Sequence, residues 1–169
     1  MKSTLAMALA IGFATAFTSC GNAQDNANTE TTVQTSISKA QATKILNSYL
    51  EIKDALVKTD GEAASKAAGK LVEALGDNQD KLAQKIRFDA EHISETKDAG
   101  HQRDHFNTLS DNIYALVKAT GANDNKLYRQ YCPMAMDNKG AYWLSAEKQV
   151  NNPYFGDKML HCGSVKEEL

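Results

Sequence analysis

Between Gly21 and Tyr131 the sequence has no cysteine, methionine, proline or tryptophan. Beyond the first 20 residues, every cysteine and methionine, both prolines and the single tryptophan lie between Cys132 and Cys162. An excess of positive charge is also missing. The 19 Lys and Arg face 21 Asp and Glu, which excludes the strongly basic surface that nucleic-acid binding requires. Long apolar runs are absent as well: Leu5–Phe17 is too short to span a bilayer. No carboxylate pair, glycine-rich phosphate loop or serine triad stands out. His161 and Cys162 are adjacent, and in an extended segment neighbours point to opposite sides, which spoils a nucleophile–base contact. The chain is therefore not expected to be an enzyme.

At the N-terminus, Lys2 precedes the apolar stretch Leu5–Phe17, the pattern of a secretory signal. Phe17-Thr18-Ser19-Cys20-Gly21 resembles a bacterial lipobox, with Phe17 standing where Leu is usual. The expectation is a lipoprotein signal peptide over 1–19, with Cys20 lipidated and holding the chain to a membrane. An ordinary secretory signal with an incidental cysteine is the alternative. Residues 20–37, rich in Asn, Gln, Thr and Ala, read as a flexible tether. Lipidation of Cys20 leaves Cys132 and Cys162 as an even pair in an oxidising compartment. Export also excludes cytosolic roles such as nucleotide metabolism.

Four segments carry helical periodicity with one apolar stripe each. Ser38 and Gln41 form a capping-box signature before Ile45, Tyr49, Ile52 and Leu56. Asp60 precedes Ala64, Ala67, Leu71 and Leu75, closed by Gly76. A third segment runs from about Asn78 through Leu82, Ile86 and Ile93, stopping before Gly100. The fourth carries Phe106, Leu109, Ile113, Leu116 and Val117 and ends at Gly121. Short connections favour antiparallel neighbours, so residues 38–169 are expected to form a mainly α domain. Its architecture is an up-down four-helix bundle with a small C-terminal β-hairpin and irregular cap over 128–169. Ala63, Ala64, Ala67 and Ala68 suit close helix approach.

In the tail, Pro133 favours an extended Cys132. If the segment continues extended, Cys132, Met134 and Met136 project from one face. Asn138-Lys139-Gly140 offers a turn into Ala141–Leu144, and Met159–Gly163 reads as a second extended piece. The runs YCPMAMDNKGAYWL (Tyr131–Leu144) and NPYFGDKML-CG (Asn152–Gly163), with Gln102-Arg103-x-His105-Phe106 and Leu109-Ser110, resemble the DUF3347 family. The resemblance covers roughly residues 40–169, its most distinctive elements in the tail. It implies an exported protein of Gram-negative bacteria, since similar domains are fused to periplasmic adaptor subunits of heavy-metal efflux systems. Such efflux components are possible partners, and the link to copper comes from that context.

Two readings of the tail remain open. Thiolates and thioethers are soft donors that select Cu(I) over hard cations. Cys132, Met134, Met136, Met159, His161, Cys162 and His105 are the candidate ligands of such an ion, copper as Cu(I) above all. Zinc suits this set less well, because methionine rarely serves it. The function expected is then metal handling or resistance by a lipid-anchored protein on the periplasmic face of a Gram-negative membrane, the outer one for preference. The alternative is a protein-interaction module. There a Cys132–Cys162 disulfide contributes roughly 3 kcal/mol, the methionines fill gaps, and Tyr142, Trp143, Tyr154 and Phe155 face a partner. Among the other histidines, His101 lies one turn from His105, and His92 reads as part of a solvated face.

Overall fold

The computed structural model describes residues 34–169, so the signal peptide, Cys20 and most of the expected tether lie outside the described residues. Four long helices come first: α1 (Lys39–Val57), α2 (Gly61–Leu75), α3 (Lys81–Ser94) and α4 (Ala99–Thr120). Each starts at a side-chain cap, Ser38, Asp60, Asp80 and Asp98 respectively, which accepts a hydrogen bond from an otherwise unpaired first-turn N–H. Gly121 ends α4 in the left-handed conformation, as its position predicts.

The capping box of α1 is only half made. Ser38 Oγ accepts from the Gln41 N–H at 3.2 Å, but the Gln41 amide turns away and donates to the carbonyls of Ala74 and Leu75 at 3.0 Å. One glutamine thus satisfies carbonyls at the end of α2, which a cap at Gly76 leaves open. Helix α1 packs on α2, α2 on α3, α3 on α4, and α4 back on α1. The apolar stripes meet inside, with Ile45, Ile52, Leu71, Ile86, Ile93, Phe106, Leu109 and Ile113 fully buried. Ala64, Ala67 and Ala68 are buried too.

The tail adds a small antiparallel sheet of three strands, in the order β2-β1-β3. Strand β1 (Tyr128–Cys132) pairs with β2 (Ala141–Ser145) from Tyr128 opposite Ser145 to Cys132 opposite Ala141. The expected hairpin is therefore present. On the other side of β1 lies β3 (Ser164–Glu168), a strand not anticipated from the sequence. The expected extended piece Met159–Gly163 is instead a turn following the 3-10 segment η1 (Gly156–Lys158).

The sheet is joined to the helices by buried polar and aromatic contacts. Tyr49, wholly buried in α1, stacks on Phe106 with ring centroids 5.1 Å apart. Its hydroxyl lies 2.8 Å from Ser110 Oγ and accepts from the Leu144 N–H of β2 at 3.0 Å. Burial pushes the Tyr49 phenol far above its ordinary value, so it stays a neutral hydrogen-bonding group. On the sheet's other flank, the Arg129 guanidinium lies between the rings of Tyr114 and Tyr142, 3.9 and 4.1 Å from their centroids.

Asp80 ties the N-terminal approach to the helices. Its carboxylate accepts from Thr35 Oγ1 at 2.6 Å, from the Ser36 N–H at 2.7 Å and from the Ala83 N–H at 2.7 Å. Partial burial opposes the charge, but these hydrogen bonds outweigh it and lower the carboxyl from 3.8 to about 2. A depressed carboxyl stabilises the fold above its unfolded value, and that contribution is lost as pH falls through the folded one. Urea midpoints of the parent chain should therefore drop between about pH 4 and pH 2 by more than those of Asp80→Asn. Parallel curves would show that Asp80 is not a source of acid sensitivity.

Candidate functional site

Strand β1 ends at Cys132 because Pro133 has no N–H to continue a ladder. Tyr131 pairs with Ser164, which brings Cys162 beside Cys132. The two sulfurs are thiols 2.9 Å apart, Cys132 fully buried and Cys162 half-buried. The hydrogen bond shared with Cys132, then burial, pushes the Cys162 thiol upward, disfavouring the thiolate that a metal needs. Two thiolates at about 2.3 Å from a tetrahedral ion stand about 3.8 Å apart. At 2.9 Å the sulfurs stand closer together than two ligands of one tetrahedral ion would.

The methionines go elsewhere. Cys132, before Pro133, is extended at the end of β1 as expected, but the chain turns immediately after it and the single-face row Cys132, Met134, Met136 does not form. Met134 is helical, and in the short turn α5 (Ala135–Asn138) three successive residues, Met136, Asp137 and Asn138, are left-handed with φ of 52°, 56° and 64°. The reason is closure: Cys132 and Ala141 are paired across the ladder, so the chain must reverse tightly between them. Gly140 completes the reversal at φ +82°, its N–H donating to the Ala135 carbonyl at 2.9 Å. A Cβ there would lie 2.0 Å from the Tyr131 hydroxyl, so glycine is required.

After this reversal Met134 and Met136 line the same cavity as Met159 of the second loop. Together with Asp104, Asp137 and Phe155 the three methionines line one cavity of about 480 Å³. Met134 is among the few large apolar side chains exposed among the described residues. Arg103 fixes the second loop: its Nε donates to the Pro153 carbonyl at 2.8 Å, and its Nη2 to the Leu56 carbonyl at 3.0 Å and Thr59 Oγ1 at 2.8 Å. The loop's neck is tied by Asn152, whose N–H donates to the Leu160 carbonyl at 2.7 Å and whose Nδ2 donates to the Cys162 carbonyl at 2.8 Å.

The histidines do not join the sulfurs. His105 faces α3 rather than the tail, with Nδ1 3.2 Å from Asp89 Oδ1. His161 donates from Nδ1 to the Val150 carbonyl at 2.8 Å and does not line the methionine cavity. His92, still half-exposed, stacks on His105, ring centroids 4.5 Å apart. Of the four aromatic residues expected to face a partner, Trp143 and Tyr154 are buried, at 1% and 7% exposure, while Tyr142 and Phe155 are part-exposed. Among the described residues no three imidazole, thiol or carboxylate groups already converge on a metal position.

The family model of DUF3347, a protein of unknown function, matches residues 45–125. Over that stretch, just under half of its length, the chain resembles the DUF3347 family. That match runs from Ile45 in α1 to Asn125 just past α4, and so contains Gln102, Arg103 and His105. It stops short of the tail, where the more distinctive resemblance was expected. No curated protein and no solved structure matches the chain. Within the matched DUF3347 region, Gln102 and Arg103 are structural anchors. Gln102 Nε2 faces the carbonyls of Gly61, Ile93 and Thr96, a role that its place in a motif does not disclose.

Proposed function

We propose that this chain is a lipid-anchored envelope protein that holds a soft ion, Cu(I), in the methionine-lined cavity. The observation that carries this reading is the meeting of Met134, Met136 and Met159, from two separate loops, at one opening. Thioethers are uncharged soft donors suited to Cu(I) and poor ligands for hard or borderline ions. Asp104 and Asp137 line the same opening and supply negative charge toward a cation, exceeding the single positive charge of Arg103, which also lines it. The Cys132–Cys162 pair serves as a staple between the roots of the two loops, not as ligands.

In this reading Cys20 carries the lipid and residues 20–37 hold the domain off the periplasmic face of a Gram-negative outer membrane. The four helices form an up-down bundle, supported by their short connections and closed ring of neighbours. The cargo is copper handled for resistance, in company with heavy-metal efflux components. The presentation of aromatic anchors to a protein partner is disfavoured by the burial of Trp143 and Tyr154.

Cu(I) titration of the full chain under reducing conditions, against a competing chelator, tests the proposal. One equivalent is expected to be retained. Replacing Met134, Met136 and Met159 together by Leu, similar in volume, should weaken retention at least a hundredfold. Cys132→Ser/Cys162→Ser should retain copper as the parent does. Undiminished binding by the triple Leu variant, or none by the parent, would sink the assignment.

A further inference from the structure

Away from the methionine cavity, three of the chain's four histidines meet on the α3–α4 face. We infer that His92, His101 and His105 form a second metal site, of nitrogen donors, for a borderline divalent cation of the Zn²⁺ type. His101 and His105 lie one turn apart on α4 with ring centroids separated by 4.9 Å, and His92 reaches across from α3 to within 4.5 Å of His105.

The protonation pattern favours ligation. A carbonyl oxygen only accepts, so the 2.8 Å contact of His92 Nδ1 with the Phe88 carbonyl requires a proton on Nδ1. Asp89 Oδ1 imposes the same tautomer on His105 at 3.2 Å. Both rings then offer the lone pair of Nε2. Asp89 is buried and also accepts from Thr108 Oγ1 at 3.1 Å, so its carboxylate is held in place behind the His105 ring. A carboxylate behind a ligating imidazole is the usual means of orienting the ring and raising its basicity. Phe88 covers the same rings, its centroid 4.3 Å from that of His92 and 5.9 Å from that of His105.

The rings are stacked rather than convergent, and no three donors already stand in coordinating positions among the described residues. His101 is exposed and His92 half-exposed, so both rings can rotate toward a cation beside the anchored His105. Imidazole suits zinc, whereas thioethers do not. The site therefore stands or falls separately from the copper pocket.

The test is calorimetric titration of Zn²⁺ into the full chain carrying Cys132→Ser/Cys162→Ser, which removes competing thiols. One equivalent should bind in the micromolar range. His92→Gln, His101→Gln and His105→Gln should each weaken binding at least tenfold, and Asp89→Asn about tenfold. His161→Gln and the triple Met→Leu variant should bind as before. Imidazole ¹⁵N spectra of the same zinc-loaded protein give a readout that survives any misfolding of the variants: Nε2 of His92, His101 and His105 should shift, and His161 should not. Absence of zinc binding, full affinity in the triple Gln variant, or a shift centred on His161 would overturn the inference.

Discussion

Trp143→Ala is expected to lower stability by about 4 kcal/mol, in the range typical of emptying a large aromatic site in a core. Trp143 is 1% exposed and lies on β2, the strand that packs against α4. Its ring meets Tyr154 edge-on at 5.9 Å, and Tyr154 in turn packs on Phe106 of α4 at 5.8 Å. The ring also covers Gly163, where an added Cβ would lie 3.1 Å from Trp143 Cη2. Deletion thus opens a void shared by the helices, β2 and the turn after Cys162. For a domain of this size the loss amounts to about 15 °C in melting temperature. Trp143→Phe separates packing from polarity. The indole Nε1 is buried without a hydrogen-bond partner, so phenylalanine discards an unsatisfied donor while leaving a smaller void. Its cost should be no more than about half that of alanine. A single unfolding transition shifted by Trp143→Ala would mark sheet and helices as one cooperative unit. A Trp143→Ala chain that melts within 1 °C of the parent would mean that the tail is an appendage.

The helices were readable because their signals are local: a cap, a 3.6-residue stripe, a terminal glycine. Even there, tertiary demand redirected one residue. Gln41 looked like the return partner of Ser38 and instead serves the end of α2. The tail was harder, since each of its features depends on distant pairing. The periodicity of CPMAM assumes an extended chain, but the registry of Cys132 with Ala141 forces a turn before the methionines can alternate. Strand β3 is short, charged and half-exposed, and is held by β1 rather than by any pattern of its own. The candidate sulfur residues were therefore legible in composition and not in geometry: the three methionines line one cavity, while the cysteines pair outside its lining. His92 could not be grouped with His105 without knowing how α3 meets α4.

Gln102→Leu is the second large effect, expected to cost about 3 kcal/mol because it leaves buried carbonyls without donors. The side chain is fully buried in α4. Its Nε2 lies 2.9 Å from the Gly61 carbonyl, 3.2 Å from that of Ile93 and 2.8 Å from that of Thr96. An amide nitrogen has two protons, so one of them is shared between two of the three acceptors. Those carbonyls lie at the start of α2, the end of α3 and the α3–α4 connection, so one side chain joins three backbone segments that share no ladder. Leucine matches the volume but donates nothing. Gly61 belongs to the same joint. A Cβ there would stand 2.0 Å from the Lys97 carbonyl oxygen and 3.2 Å from Gln102 Oε1, so Gly61→Ala must push the connection away from α2. The two substitutions act on one contact, and their costs should fall short of additive by at least about 0.5 kcal/mol. Hydrogen exchange gives the local reading: amides in the last turn of α3 and the first turn of α2 should lose protection first in Gln102→Leu. A cost below about 1 kcal/mol, with protection unchanged there, would show that water replaces the amide.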